Sequence, residues 1–205
     1  MLMPRGRVVL AGGSGFLGRT LAEELVRQGR EVVVLSRTPG RGSGLVREVE
    51  WDGESVGEWA RHLEGAEAVV NLAGRSVNCR YTRANRREIV ESRVNSVNAV
   101  GQAIRRCAQP PKVLVQAASL AIYGDAGARV CDESARVCDE SAPAGRGFSA
   151  ETCVRWEEAF DSFELPATKK VLLRIGFALG RDGGALETLA RLAKFYLGGT
   201  VGGGR

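Results

Sequence analysis

Ala11-Gly12-Gly13-Ser14-Gly15-Phe16-Leu17-Gly18 stands between two segments of opposite character. Before it runs Arg7-Val8-Val9-Leu10, short, apolar and rich in β-branched residues, the composition of a buried strand. After it runs Thr20-Leu21-Ala22-Glu23-Glu24-Leu25-Val26, composed of good helix formers. Gly12, Gly15 and Gly18 therefore fall on a strand-to-helix turn. The free backbone N–H groups and the dipole at a helix N-terminus favour negative charge, and a nucleotide pyrophosphate is the expected occupant. In that reading Gly12 makes the tight turn, Gly15 lets a phosphate come close, and Gly18 lets the helix lie against the strand. Ser14, Phe16 and Leu17, within the same run, are candidate cofactor contacts with them.

The rest of the chain extends the pattern. Valine- and leucine-rich runs near 7–11, 31–36, 67–72, 112–118 and 170–176 read as buried strands. Helical stretches fall near 16–28, 55–63, 82–106, 148–163 and 184–196. Strand and helix in alternation predict an α/β fold, a Rossmann-like doubly wound parallel sheet with its ligand at the carboxyl ends of the strands. Residues 1–197 read as one such domain. The glycine-rich stretch 198–205 reads as a loop at which the chain stops mid-course. Ala128-Arg129-Val130-Cys131-Asp132-Glu133-Ser134 is repeated at once over 135–141. A surface loop that gained one copy explains the duplication, since loops tolerate insertion at small cost.

Composition narrows the class. The 205 residues, 44% of them hydrophobic and 26% charged, suffice for one water-soluble domain with a full core. The formal net charge is +5, but the basic residues are scattered. The densest group, Arg80, Arg83, Arg86 and Arg87, reads as a solvated helix face, and no nucleic-acid partner is expected. No apolar run approaches a membrane span, so no membrane partner is expected either. Cys79, Cys107, Cys131, Cys138 and Cys153 are odd in number, contain no C-x-x-C, and follow no signal peptide. They predict reduced thiols and a cytoplasmic location. The single histidine, His62, argues against a histidine metal site or a Ser-His-Asp triad and reads as a surface residue. No metal is expected.

The second strand selects the dinucleotide. Many NAD-binding folds place a carboxylate at its end to hold the ribose 2′-hydroxyl. Here Glu31-Val32-Val33-Val34-Leu35 ends in Ser36-Arg37. A serine hydroxyl and a guanidinium suit a 2′-phosphate, so the predicted cofactor is NADP(H).

The glycine spacing, Ser36-Arg37 and Val70-Asn71-Leu72-Ala73-Gly74 resemble the extended short-chain dehydrogenase/reductase superfamily. Trp51-Asp52, Glu91-Ser92-Arg93-Val94, Trp156-Glu157-Glu158-Ala159, Leu173-Arg174-Ile175-Gly176 and Leu179-Gly180-Arg181-Asp182-Gly183-Gly184-Ala185 narrow it. They are similar to one atypical branch, the SDR39U1-like epimerase family proteins with their bacterial nucleoside-diphosphate sugar epimerase relatives. The resemblance implies a Rossmann domain followed by a smaller C-terminal substrate lobe that this sequence does not reach. It implies that Leu72 and Ala73 lie beside the adenosine half of the cofactor, that Gly74, Glu88 and Arg93 lie near the cofactor, and that Ala178 lies beside the nicotinamide half.

The same resemblance sets the catalytic expectation. The superfamily uses a serine after the fourth strand and a Tyr-x-x-x-Lys pair on the next helix. Ser119, in Ala118-Ser119-Leu120-Ala121-Ile122-Tyr123-Gly124, falls on the serine. The tyrosine and lysine positions hold Ser149 and Cys153. Serine is far less acidic than an activated phenol and does not replace it. Tyr123 is the remaining phenol, either a proton relay or a structural tyrosine in a turn. Cys153, with no histidine near in sequence, reads as a buried core cysteine. Two functions remain open: an NADP(H)-dependent oxidoreductase or epimerase of a small polar or nucleotide-sugar substrate, and an NADP(H)-binding or redox-sensing module without turnover.

Overall fold

The computed structural model describes residues 6–40, 42, 44–125, 140, 142–180 and 183–199. Two compact units result, Met1–Ile175 and Gly176–Arg205. The first holds a six-stranded parallel sheet. In chain order its strands are β1 (Arg7–Ala11), β2 (Glu31–Ser36), β3 (Val46–Glu50), β4 (Ala68–Asn71), β5 (Val113–Ser119) and β6 (Lys169–Ile175). They lie side by side as β3-β2-β1-β4-β5-β6. The helices are α1 (Phe16–Arg27), α2 (Arg83–Arg105) and α3 (Phe148–Asp161). Strand order reverses between β1 and β4, the switch point at which such folds open a crevice.

Period-two alternation builds two cores from the same strands. Val8, Leu10, Val32 and Val34 pack on one face with Ala22 of α1. Val9, Ala11, Val33 and Leu35 face the other way, into a larger cluster with Val97, Val100 and Ile104 of α2 and Trp156 and Phe160 of α3. Thr82 caps α2 through its Oγ1, which accepts the Asn85 N–H at 3.2 Å.

Three expectations change. The strand Val46-Arg47-Glu48-Val49-Glu50 was not anticipated, because three charges in five residues hide a strand that, among the described residues, lies at the sheet edge beside β2. The helix expected at 55–63 is a 3-10 turn over Glu58–Leu63. His62, expected on the surface, is only 7% exposed, because that turn presses it in beside Trp59 and Leu63. Arg86 and Arg87 are exposed, as expected of a solvated helix face. Of the tandem repeat, Cys131 and Cys138 lie outside the described residues. Cys79, Cys107 and Cys153 are free thiols. Among the described residues no helix is long and apolar enough to cross a membrane, and no cluster of three His, Cys, Asp or Glu could hold a metal.

Burial, with the guanidinium groups of Arg47, Arg61 and Arg7 behind it, holds the His62 imidazole below its ordinary value. The unfolded chain then binds a proton that the folded chain refuses. Stability is complete above the unfolded value of about 6.5 and falls as pH drops from there toward the folded value. We expect the urea midpoint to fall between pH 7.5 and pH 5.5 and to fall less for His62→Gln. Equal slopes for the two proteins would remove His62 as the cause.

The second unit contains a two-residue antiparallel pair, β7 (Leu179–Gly180) with β8 (Gly183–Gly184), and the helix α4 (Ala185–Lys194). Ala178 belongs to this unit.

Candidate functional site

A cleft of about 690 Å³ opens at the carboxyl ends of β1, β2 and β4, a size suited to a small-molecule ligand. Gly12, Ser14 and Gly15 line it from the turn after β1, Ser36 and Arg37 from the end of β2, and Leu72, Ala73 and Gly74 from the segment after β4. The glycines divide their work. Gly12 has φ +72°, and a Cβ there would meet Ala73 Cα at 2.8 Å. A Cβ on Gly18 would run into the backbone of Gly13, so Gly18 is a packing residue and does not line the cleft. A Cβ on Gly15 would meet nothing closer than the Gly12 carbonyl at 3.6 Å, so the space above it is open. Gly15 is the N-cap of α1, and no side chain caps that helix. Phe16 and Leu17 begin α1 without lining the cleft.

The end of β2 carries no carboxylate. Ser36 Oγ donates to Ser14 Oγ at 3.2 Å, which ties the second strand to the glycine turn. Arg37 is exposed and has no ion-pair partner among the described residues.

At the end of β4 a buried polar network fixes the opposite wall. Asn71, fully buried, donates through Nδ2 to Gln116 Oε1 at 2.9 Å and to Ser96 Oγ at 3.3 Å. Its Oδ1 accepts the Ala73 N–H at 3.1 Å. One side chain thereby joins β4, β5 and α2 and sets the path of Leu72-Ala73-Gly74.

Sequence reasoning left out two parts of the cleft. The first is the wall Trp51, Asp52, Gly53 and Glu54. The Ser55 carbonyl accepts both indole N–H groups, from Trp51 at 3.1 Å and Trp59 at 2.9 Å. Asp52 Oδ1 accepts the N–H groups of Glu54 at 2.9 Å and Ser55 at 2.8 Å. Burial works to raise the Asp52 carboxyl, but the hydrogen bonds from Ser55 and Glu54 together hold it below the usual carboxylate range. The pair Trp51-Asp52 was visible only as a motif; its place in the cleft depends on β3, the strand the sequence concealed.

The second is Arg75, which unites two residues the sequence could not connect. Its guanidinium pairs with Glu88, and its carbonyl accepts from Arg93 Nη1 at 3.0 Å. Glu88 lines the cleft; Arg93 does not. The Arg93 side chain instead runs behind Gly74, and its guanidinium stacks over Trp156 at 5.1 Å.

Ser119 and Tyr123 lie outside this cleft, at the carboxyl end of β5. Ser119 Oγ accepts the Ala121 N–H at 3.2 Å and caps the 3-10 turn that ends in Tyr123. The Tyr123 hydroxyl accepts from Arg174 Nη1 at 2.8 Å. Arg174 also donates through Nε and Nη2 to the two carboxylate oxygens of Glu157, at 3.0 and 2.8 Å. These bonds push the guanidinium further above its ordinary value. Cys153 is buried, and burial together with Glu157 pushes its thiol up despite Arg93 and Arg174. That is the opposite of what a nucleophile needs.

The profile of the NAD dependent epimerase/dehydratase family matches residues 8–144. The chloroplastic SDR39U1 homolog of Arabidopsis thaliana, an epimerase family protein, is 32% identical over an alignment of 206 positions that covers 97% of this chain and 56% of the relative. The structure of human epimerase family protein SDR39U1 with NADPH superposes with a TM-score of 0.79 at 32% identity, over 97% of this chain and 63% of that one. The nucleoside-diphosphate sugar epimerase of Corynebacterium glutamicum gives 0.74 at 28% identity, over 98% of this chain and 39% of that one. The chain thus spans about three fifths of the length of the SDR39U1 proteins it matches.

Proposed function

This chain belongs to the NAD dependent epimerase/dehydratase family, and we propose that it binds NADP(H) in the cleft and acts as an oxidoreductase or epimerase on a small polar or nucleotide-sugar substrate. The observation that carries the cofactor choice is the pair Ser36 and Arg37 lining the cleft beside Ser14, with a guanidinium that has no ion-pair partner among the described residues where a carboxylate would repel a 2′-phosphate. Gly15 and the uncapped N-terminus of α1 suit the pyrophosphate, and Leu72 and Ala73 suit the adenosine half. The human relative's structure was solved with NADPH, which agrees with this choice.

The cofactor supplies a hydride donor or acceptor when bound. Ser119 holds the substrate oxygen through its hydroxyl and steadies charge developing there. Tyr123 gives or takes the proton at that oxygen, and Arg174 holds the phenol in place. A second reading has its own support. By the family resemblance Ser149 and Cys153 stand where the acid/base pair would be, and burial pushes the Cys153 thiol up; this favours a module that binds NADP(H) without turnover.

One experiment separates these, and a second tests the cofactor. NADPH absorbance followed against a panel of carbonyl compounds and sugar nucleotides should fall with one of them, and Ser119→Ala should abolish the change; tight NADPH binding with no turnover across the panel supports the binding module instead. For the cofactor, Arg37→Asp is expected to weaken NADP+ about 10- to 100-fold, the loss of one charge-assisted contact, and to leave NAD+ little changed. An unaltered NADP+/NAD+ ratio in titration calorimetry would sink the choice of NADP(H).

A further inference from the structure

The cleft presents a charge problem. Four carboxylates line it, Asp52, Glu54, Glu88 and Glu91, against two guanidinium groups, Arg37 and Arg75. A dinucleotide carries at least two negative phosphates, so a cleft of net negative charge would repel it. Ion pairs reduce the conflict, because a guanidinium balances Glu91 and another balances Glu88, while neutral donors hold Asp52 and Glu54 in place. Asp52 caps the turn at Glu54 and Ser55. Glu54 accepts from Asn95 Nδ2 at 3.2 Å. Glu91 pairs with Arg87 at 3.5 Å. Glu88 pairs with Arg75.

Arg75 is thus the second cation of the cleft, and its setting is built. Asn85 Oδ1 accepts from its Nη2 at 3.0 Å while Glu88 takes Nη1. Its main chain is fixed on both sides, the N–H donating to Ser92 Oγ at 2.9 Å and the carbonyl accepting from Arg93. A guanidinium carries five N–H donors in a planar fork, and these two partners, the ones it has among the described residues, leave Nε–H and further Nη hydrogens available. Arg75 stands two residues beyond Ala73, the residue whose backbone touches Gly12 of the phosphate turn. Two residues span at most about 7 Å, and Arg75 lines the same cleft as Gly12, Ser14 and Gly15 of that turn.

We propose that Arg75 is a ligand of the dinucleotide's pyrophosphate, oriented by Glu88 and Asn85 as positioning residues. This rests on the dinucleotide reading of the cleft. Arg37 takes the 2′-phosphate at one end and Arg75 the pyrophosphate at the switch point, so the two cations read different parts of one molecule.

The test is titration calorimetry of the 205-residue chain with NADP+, NAD+ and 2′-AMP, the last lacking any pyrophosphate. Arg75→Gln should weaken NADP+ and NAD+ alike by about tenfold, equivalent to ~1.4 kcal/mol, and leave 2′-AMP unchanged. Arg75→Lys, which keeps the charge, should stay within about threefold of wild type. Arg37→Asp should show the reverse selectivity, losing NADP+ and 2′-AMP but not NAD+. Melting of the unliganded variants checks that the fold is intact. Dinucleotide affinities unchanged in Arg75→Gln, with Arg37→Asp behaving as stated, overturn the Arg75 assignment alone. A loss of 2′-AMP equal to that of NADP+ also overturns it, since the effect is then not at the pyrophosphate. Wild-type protein that binds neither dinucleotide overturns the cofactor reading and this proposal with it.

Discussion

Gly12→Ala is expected to destabilise the fold by about 3 kcal/mol, while Gly15→Ala three residues away leaves stability nearly unchanged and loses the dinucleotide. Two costs combine at Gly12. Its φ of +72° is the left-handed region, where an L side chain costs on the order of 1–2 kcal/mol. The new Cβ would also sit 2.8 Å from Ala73 Cα and 2.9 Å from Ala73 N. Those are backbone atoms, held by Asn71 through the Ala73 N–H, so no side chain can rotate away. Overpacking of this kind costs about 1–3 kcal/mol. At Gly15 the backbone is extended at φ −74°, and a methyl group meets no atom closer than 3.6 Å. The methyl would instead fill the space a phosphate needs. Urea unfolding should therefore separate the two variants by several kcal/mol, and titration with NADP+ should show more than a tenfold loss for Gly15→Ala. Equal stability of both variants would contradict the close approach of the turn to β4. Full affinity in Gly15→Ala would contradict the phosphate position.

That contrast also marks what the sequence could and could not disclose. The glycine spacing was legible because a strand-to-helix turn imposes it locally, and the buried strands were legible because β1 and β2 are apolar on both faces. β3 was not, since an edge strand is permitted alternate charges and Val46-Arg47-Glu48-Val49-Glu50 uses three of them. With β3 concealed, the wall Trp51–Glu54 had no strand to place it. Arg75 was hidden for a different reason. Its role arises from Glu88 and Asn85, 13 and 10 residues further along and brought back by the start of α2, and no local pattern encodes such a return. His62 was misread because its polar neighbours in sequence are not its neighbours in space.

Glu157→Ala is expected to cost about 3 kcal/mol, and the double replacement Glu157→Met with Arg174→Met should restore most of it. The pair is a two-pronged carboxylate–guanidinium contact with side chains only 12% and 18% exposed. Alone, Arg174 would retain the Tyr123 hydroxyl and the face of its ring at 5.3 Å, neither of which balances its charge. Breaking one side of a buried pair costs about 3–5 kcal/mol, whereas replacing both sides with apolar groups is often neutral; the residual exposure places this site at the lower end. A single-variant loss below about 0.5 kcal/mol in urea unfolding would mean that solvent screens the pair. The double variant then distinguishes fold from chemistry. It keeps α3 on β6 by packing, yet removes the guanidinium that holds the Tyr123 oxygen. If it folds with normal NADPH affinity but loses turnover in the carbonyl and sugar-nucleotide panel, Arg174 serves the reaction through Tyr123. If turnover survives, Arg174 and Glu157 only fasten α3 to β6, and Tyr123 is a structural tyrosine in a turn.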